Sequence, residues 1–342
     1  MALSQGAQLF LIRKYKMMMQ RKETGGGRPY RVAVNGLPHF CRKLSHLLNG
    51  EAEWEAPYRS YSPVGLATRF MDVARCDLAY SWGGRISMGK FLWAARSLGK
   101  NKVVMLWSGS DVLFARDELA KGKLDPWVAG RVHWAVSPWL AKEVRELGID
   151  CEYVQVSFVD PVGPVPLPEK FSVLVYTPSL RKADLYGLDL ILEVARKLPW
   201  VEFKLVGLEE GRIPDPPPNL EVFTRIDLTA FYERTTVIWR PVRHDGLPFM
   251  VLEALARGRH VLYSYPLNGC IQVTGAEMAC KELERLRVLH ESGMLPLNEM
   301  GRQYVEREYN PEKVRAEILS RWKEIILSLE PGARASRVAE NS

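Results

Sequence analysis

The chain has 342 residues, of which 47% are hydrophobic and 25% charged, and its formal net charge is +7 with an isoelectric point of about 9.1. This composition is ordinary for a soluble globular protein, and the length suits two domains. No apolar run approaches the ~18 residues that a membrane-spanning helix needs. The positive charge would suit nucleic acid, an anionic membrane surface or an anionic substrate. Because no stripe of Lys and Arg is interleaved with aromatic residues, we expect no nucleic acid partner.

The cysteines and the N-terminal residues indicate in which cellular compartment the chain is expected. Five scattered cysteines without a CxxC pair are typical of a reduced, cytosolic chain without a zinc site. We also expect no cofactor. Residues 1–27 are basic, with a short apolar patch at 9–12, but they lack the features of a cleavable leader. They are predicted to be a flexible extension. A weak helix on the membrane surface stays open as an alternative.

The first half of the chain repeats a strand–turn–helix pattern. Apolar runs at Tyr30–Gly36, 76–84 and 101–112 each end in a glycine-containing turn and lead towards a helical stretch. Residues 132–137 resemble another strand, and the following PWLAKEVRELG predicts a helix with Pro138 at its first position. Strands that alternate with helices indicate a parallel sheet covered on both faces.

A proline-rich stretch separates this half from the next. Four prolines fall between Pro161 and Pro168, and such a stretch can be neither a central strand nor a helix. We therefore predict a stiff linker over 161–170, between an N-terminal domain over 28–160 and a C-terminal domain over 171–310.

The second half restarts the same pattern. Apolar residues of its first predicted helix fall on one helical face: Leu188, Ile191, Val194, Ala195 and Leu198. We expect a helix over 311–329 to pack back on the N-terminal domain, followed by a disordered tail over 330–342. The predicted fold is therefore α/β, with two Rossmann-like, doubly wound parallel-sheet domains that face each other across a cleft. Ligands of such sheets bind outside the carboxyl ends of the strands.

One stretch, RHDGLPFMVLEALARG, carries the most chemistry. It follows the predicted strand Val237–Arg240, and it places Asp245 and Gly246 in a loop before a helix that starts near Pro248 and contains Glu253. The amides and dipole of a helix start favour phosphate. Glu253 could accept two hydroxyl hydrogens from a ribose, and Asp245 one from a sugar. The alternative is that Asp245 caps the turn and Glu253 is a solvated helix residue, and spacing alone leaves both open.

The stretch resembles the acid-x7-acid motif of retaining GT-B glycosyltransferases, family 4 in particular, which reads E-G-x-x-x-x-x-x-E-A after a strand. Here the matching residues are Asp245, Gly246, Glu253 and Ala254. The resemblance covers residues 30–329, strongly in the C-terminal domain and more loosely before it. It implies transfer of a sugar from a nucleoside diphosphate sugar to a glycan or lipid-linked acceptor hydroxyl, with retention of configuration, as in polysaccharide biosynthesis. No DxD-type pair of acids is positioned to bind a metal ion, so no metal is implied.

The resemblance also implies roles for individual residues. Glu253 would bind the donor ribose, Asp245 would contact the donor sugar, and the amides of Gly246 and Leu247 would bind its hydroxyls or phosphates. Three further residues would border the diphosphate or the base: Gly36, Gly207 and Arg225.

Two departures from the family pattern concern the donor site. The first acid is Asp rather than Glu, so its side chain is one methylene shorter. Tyr186 stands before Gly187, where the family usually has a Lys that neutralises the diphosphate leaving group. Arg181 and Lys182 are the natural substitutes, although they could equally form an exposed charged loop.

A third departure concerns the acceptor side. Ser108 stands where many family members have His. Asp111 would then orient an acceptor or cap the following helix, and His39 could also face the cleft.

A catalytically weak GT-B protein that binds another transferase is the second functional hypothesis. We expect a cytoplasmic protein, with peripheral contact at the inner face of an anionic membrane left open. A Rossmann dehydrogenase is disfavoured because no G-x-G-x-x-G follows an early strand.

Overall fold

The computed structural model describes residues 28–48, 51–57, 63–208, 213–224 and 227–328. These form two compact units, one running to Val156 and resuming at Arg315, the other spanning Ser157–Val314. The predicted extension over 1–27, the tail over 330–342 and Arg225 lie outside the described residues. In the part of the chain that is described, no helix combines the length and apolarity needed to cross a membrane.

The first unit contains a six-stranded parallel sheet in the order β2-β1-β3-β4-β5-β6. Its strands are β1 (Tyr30–Gly36), β2 (Trp54–Glu55), β3 (Leu78–Trp82), β4 (Val103–Trp107), β5 (Val132–Ala135) and β6 (Glu152–Tyr153). Its helices before the second unit are α1 (Pro38–Leu48), α2 (Pro63–Arg75), α3 (Lys90–Ser97), α4 (Asp111–Ala120), α5 (Pro126–Ala129) and α6 (Pro138–Glu146).

The second unit contains another six-stranded parallel sheet, in the order β12-β11-β10-β7-β8-β9. Its strands are β7 (Ser172–Tyr176), β8 (Glu202–Val206), β9 (Leu220–Phe223), β10 (Val237–Arg240), β11 (His260–Tyr263) and β12 (Cys270–Gln272). A 3-10 turn (Leu180–Lys182) precedes the helices, which are α7 (Leu188–Lys197), α8 (Leu228–Glu233), α9 (Phe249–Ala256), α10 (Ala276–Glu291) and α11 (Glu299–Glu308). A last helix, α12 (Pro311–Leu327), leads back to the first unit.

The structure confirms the predicted α/β class, with two parallel sheets that carry helices. All residues of the central strands β3, β4 and β10 are buried, as continuous apolar runs predict. The five residues predicted to share one face of α7 and its end are buried. The very short strands β2 and β12 escaped sequence-based prediction because two or three residues carry no periodicity. Helix α9 begins at Phe249, and Pro248 lies just before it in extended backbone, with φ −76° and ψ 128°.

The segment predicted to be a linker, 161–170, lies within the second unit and is held against it. Prolines lack an N–H donor, but their carbonyl oxygens still accept hydrogen bonds. Arg259 donates from Nη2 to the Pro166 carbonyl at 2.8 Å, and Nε2 of His290 lies 2.7 Å from the Pro168 carbonyl. These side-chain contacts fix the segment to the second unit, and its role as a spacer between domains stays a prediction.

Helix α12 contributes to the core of the first unit through Trp322, which is 0% exposed. The Trp322 ring lies 5.2 Å from the ring of Tyr80 and 6.0 Å from that of Trp54, measured between centroids. The preceding residue, Arg321, forms an ion pair with Glu152 at 2.6 Å. The end of the chain is therefore built into the unit with which the chain begins.

Two loops at the carboxyl edge of the second sheet pack tightly against each other where Gly187 meets Pro241. Gly187 has φ +66°, and a Cβ atom built on it would lie 2.0 Å from the carbonyl oxygen of Pro241. Because L-residues disfavour this backbone conformation and the added carbon would clash, only glycine fits here. The segment after β7 therefore lies directly on the loop after β10.

We expect Trp322→Ala to lower the free energy of unfolding by about 3–5 kcal/mol, the usual cost of removing a fully buried aromatic side chain. Trp93→Ala is the matched control, because Trp93 lies on α3 of the same unit and is 60% exposed. Urea titrations followed by circular dichroism should show a change of less than about 1 kcal/mol for this control. Equal effects of the two substitutions would contradict the packing described for α12.

A second pair of variants tests the contact at Gly187. Gly293 has almost the same backbone conformation, φ +69°, with nothing within 4 Å of the Cβ position. Gly293→Ala should therefore cost only the backbone strain, about 1–2 kcal/mol. Gly187→Ala should cost about 1–3 kcal/mol more, since the methyl group must also displace the Pro241 backbone. Thermal unfolding of both variants measures the difference, and its absence would show that the two loops are not in contact.

Candidate functional site

The candidate site lies at the carboxyl edge of the second sheet, where β10 ends and α9 begins. Strand β10 ends at Arg240, and the chain then passes through a loop that contains Asp245 before entering α9. Helix α9, with the sequence FMVLEALA, is otherwise apolar, and Glu253 is its one ionisable residue. The structure thus places Asp245 at the edge where parallel sheets bind ligands, and Glu253 within the helix that begins there.

The Asp245 carboxylate is held from inside the protein by two donors. Nε of Arg240 donates to its Oδ2 atom at 2.6 Å, and Oη of Tyr263 donates to the same oxygen at 3.2 Å. The side chains of Arg240 and Asp245 are only 8% and 13% exposed. Charge-assisted hydrogen bonds of this length are among the strong ones. Asp245 is therefore a fixed, oriented carboxylate rather than a mobile residue of an open loop.

Burial and charge act in opposite directions on Arg240. Burial lowers the pKa of its guanidinium. The charge and hydrogen bond of Asp245 raise this pKa by more than burial lowers it, so the net pKa lies above its usual value. Burial, followed by the charge of Asp245, raises the pKa of Tyr263 well above the ordinary value, so its phenol remains a hydrogen-bond donor. The site therefore contains a permanent cation next to its first acid.

Two tyrosine rings flank this cation. The guanidinium carbon of Arg240 lies 5.3 Å from the ring centroid of Tyr186 and 5.9 Å from that of Tyr176. The two rings are themselves 5.6 Å apart in an edge-to-face arrangement. Tyr186 is the residue that stands where the resemblance expects Lys. Its ring packs against a positive charge, which is a favourable cation–π contact.

Glu253 is partly buried and accepts a hydrogen bond, so the alternative of a solvated helix residue does not hold. Oη of Tyr232 donates to its Oε2 atom at 2.9 Å, and Tyr232 is 1% exposed. Burial, followed by the charge of Glu253, raises the pKa of the Tyr232 phenol. The guanidinium of Arg257 lies 5.1 Å from the Tyr232 ring centroid, and its Nη1 atom donates to the Glu253 carbonyl at 2.9 Å. The second acid is therefore oriented as well.

An ion pair ties the loop after β10 to the start of α7. Arg243 donates to both carboxylate oxygens of Asp189, at 3.0 and 2.6 Å, and its backbone amide donates to the Leu185 carbonyl at 2.9 Å. Its hydrogen bond lowers the pKa of Asp189. Exposed pairs of this kind contribute little stability, about 0–1 kcal/mol. Their effect here is to keep Tyr186 and the Asp245 loop in one fixed arrangement.

Four other predicted residues of the donor site differ in their surroundings. Arg181 and Lys182 lie on the exposed 3-10 turn, and neither side chain has a hydrogen bond or ion pair with a described residue. Gly246 and Leu247 are buried, yet neither backbone amide donates to another described residue. Amides without a protein acceptor are rare inside proteins. These two are therefore available to a ligand at the start of α9.

The glycines predicted to border the donor have a packing explanation. A Cβ atom on Gly207, with φ +92°, would lie 2.4 Å from the Tyr176 ring. On Gly36, with φ +142°, it would lie 2.4 Å from the Trp82 carbonyl oxygen. Each glycine ends a strand where the chain passes close to its neighbour, so their contacts with a ligand stay predictions. Arg225 lies outside the described residues.

The predicted acceptor-side residues lie in the first unit. The Asp111 carboxylate accepts hydrogen bonds from the amides of Gly84, Ser108 and Gly109 at 2.8, 2.9 and 2.8 Å. Burial raises its pKa, while these amides oppose the shift. Asp111 therefore joins the loops after β3 and β4, which favours the structural interpretation of this residue. His39 is exposed on α1.

The residues that commonly bind metals are dispersed. All five cysteines are free thiols, and burial raises the pKa of Cys76 to about 11 and that of Cys151 to about 12. Across the described ranges, no group of three or more His, Cys, Asp and Glu is placed to hold a metal ion. The chemistry of the β10–α9 edge thus consists of oriented carboxylates, available amides and one buried guanidinium.

Sequence reasoning missed the three side chains that orient the acids: Arg240, Tyr263 and Tyr232. Arg240 carried a signal, because it is a charged residue at the end of an otherwise apolar strand. Tyr263 is paired with Arg240 in the parallel register of β10 and β11, so recognition of that pairing would have found it. Tyr232 lies on α8, and nothing in the sequence connects it to Glu253.

No protein-family model matches the sequence, and no curated protein sequence matches it. Solved structures do match. Anabaena HepE in complex with UDP-glucose has a TM-score of 0.62 at 11% identity, covering 86% of this chain and 99% of that one. Sucrose-phosphate synthase from Thermosynechococcus elongatus has a TM-score of 0.61 at 11% identity, with the same coverages of 86% and 99%. A glycosyltransferase from Rickettsia africae has a TM-score of 0.59 at 12% identity, covering 88% and 100%. The chain therefore has the two-domain α/β fold of GT-B glycosyltransferases.

Proposed function

We propose that this protein is a glycosyltransferase that moves a sugar from a nucleoside diphosphate sugar to an acceptor hydroxyl with retention of configuration. The observation that carries the proposal is that both acids are held by hydrogen bonds, Asp245 in the loop after β10 and Glu253 in the helix that follows it. Asp245 is held by Arg240 and Tyr263, and Glu253 by Tyr232. The shared fold supports it: HepE was solved with UDP-glucose, and the pneumococcal O-GlcNAc transferase GtfA, which has a TM-score of 0.55, was solved with UDP and GlcNAc.

In the proposed reaction, the bond from the anomeric carbon of the donor to the diphosphate breaks, and its electron pair leaves with the diphosphate oxygen. The acceptor oxygen forms a new bond to that carbon on the same face, and the acceptor hydroxyl passes its proton to the departing diphosphate oxygen. Glu253 binds the ribose hydroxyls, and Asp245 accepts a hydroxyl of the donor sugar. The amides of Gly246 and Leu247 and the dipole of α9 bind the diphosphate as it leaves.

The proposal also assigns residues outside the β10–α9 edge. Arg181 and Lys182 would approach the diphosphate from their exposed turn, because their side chains are not engaged by another described residue. Ser108 and His39 would face the acceptor, which we propose to be a glycan or lipid-linked molecule of polysaccharide biosynthesis, and Asp111 would hold the Ser108 loop in place. A cytoplasmic location, contact with an anionic membrane and membership of family 4 stay predictions.

The donor site can be tested by titrating the full chain with UDP-, GDP- and ADP-sugars and with the corresponding nucleosides. We expect one class to bind, and Glu253→Gln to weaken both the sugar nucleotide and its nucleoside by about tenfold or more, because each loses a charged acceptor for its ribose hydroxyls. Glu277→Gln, at an exposed position at the start of α10, is the matched control and should change nothing. Failure of the unaltered chain to bind any of these nucleotides would overturn the proposal.

The alternative function, a catalytically weak GT-B protein that binds another transferase, draws on Tyr186 and Ser108 at positions where the family has Lys and His. Turnover separates the two. We expect slow hydrolysis of the bound donor and transfer to a suitable acceptor, and proton NMR of the first product should show the anomeric configuration of the donor. An inverted product would contradict retention. Tight binding without hydrolysis or transfer, for every acceptor class offered, would favour the alternative.

A further inference from the structure

The tyrosine at position 186 leaves the proposed donor site without its expected lysine, and Arg240 is the side chain that the structure places beside it. Strand β10 ends at Arg240, so this side chain emerges at the same sheet edge, and its guanidinium carbon lies 5.3 Å from the Tyr186 ring centroid. A positive charge is therefore present next to position 186. It comes from a neighbouring strand end instead of from residue 186 itself.

The surroundings of Arg240 leave part of its guanidinium available. Nε is engaged by Asp245, and the rings of Tyr176 and Tyr186 lie beside the group. Nη1 and Nη2 make no hydrogen bond with any described residue, and 7% of the residue stays exposed. A guanidinium is planar, weakly hydrated and able to pack on aromatic rings while it donates to two phosphate oxygens. A lysine ammonium could not combine these contacts.

The identities of residues 186 and 240 depend on each other. A lysine at 186 would bring an ammonium group towards the Arg240 guanidinium in a region of restricted solvent, where like charges repel strongly. Tyrosine at 186 replaces this repulsion by a cation–π contact. We propose that Arg240 is a cation that contacts the donor diphosphate in this protein, alongside the exposed Arg181 and Lys182, with Tyr186 as the ring against which it packs. The proposal rests on the function proposed above and adds to it the residue that contacts the phosphates.

Two further features support this assignment. Arg243, the other arginine of the β10–α9 loop, is already paired with Asp184 and Asp189. The pairing of Arg240 with Asp245 keeps its pKa above the usual value despite burial, so the charge persists across the pH range of any assay. The same pairing links the phosphate contact to the orientation of the first acid.

The experiment compares Arg240→Met and Arg240→Lys with the unaltered full chain, using calorimetric titration with UDP, GDP and ADP and with the corresponding nucleosides. For the nucleotide that binds, we expect Arg240→Met to weaken diphosphate affinity by about 30-fold or more, while nucleoside affinity changes by less than about threefold, because only the phosphates contact Arg240. The diphosphate affinity of Arg240→Lys should lie between that of the unaltered chain and that of Arg240→Met. Equal losses for nucleoside and diphosphate would indicate a merely structural role and overturn the proposal.

Removal of Arg240 alone leaves the Asp245 carboxylate without its ion-pair partner, which can destabilise the fold. The double variant Arg240→Met with Asp245→Asn removes that charge, and circular dichroism verifies its folding. It should show the same selective loss of diphosphate affinity. A folded double variant that binds the diphosphate as tightly as the unaltered chain would overturn the proposal.

Relocation of the charge provides the sharpest test. Tyr186→Lys added to Arg240→Met should recover about tenfold or more of the lost diphosphate affinity, whereas Tyr186→Lys with Arg240 present should lower thermal stability through repulsion. If the folded variant with both Tyr186→Lys and Arg240→Met recovers no diphosphate affinity, the charge cannot be exchanged between positions 186 and 240. If the unaltered chain binds no nucleotide at all, the proposed function itself fails, which is a different result from loss in the Arg240 variants alone.

Discussion

The Arg240–Asp245 ion pair is the interaction on which the arrangement of the β10–α9 edge depends. A buried guanidinium or carboxylate alone would be costly, so the loop must return Asp245 to the end of the strand that it has just left. The 2.6 Å contact therefore restricts the path of the intervening residues. Because the same loop leads into α9, it also determines where the helix begins and how Glu253 is presented.

The loop after β10 is also constrained by the segment that follows the neighbouring strand β7. β7 and β10 are adjacent in the sheet, so the segments that follow them emerge side by side. Gly187 lies on the Pro241 backbone, Arg243 is bound to Asp189, and Arg240 lies over the Tyr186 ring. These contacts differ in strength, since one is steric, one is an exposed ion pair and one is buried. Together they make the two loops a single packed element.

The sequence predicted the local elements better than the contacts between them. Apolar runs predicted most strands of both sheets, and the acids of the candidate site were proposed from a resemblance to a family motif, since their spacing alone left both interpretations open. The partner of each acid depends on tertiary structure. Tyr263 reaches Asp245 only because β11 lies beside β10, and Tyr232 reaches Glu253 from a helix that no local pattern connects to α9. In the same way, proline composition alone does not reveal that Arg259 and His290 bind the segment over 161–170.

A missing motif residue is therefore weak grounds for inferring a lost function in a parallel sheet. Strand ends at one edge lie about 5 Å apart, and a long side chain from one strand can reach the space normally filled from the next. Here Tyr186 stands where the resemblance expects a lysine, and an arginine from β10 lies against its ring. What the proposed chemistry requires is a cation beside the leaving diphosphate, whichever strand supplies it. The position of charge in space, rather than in the motif, is what separates an inactive relative from a transferase with a rearranged site.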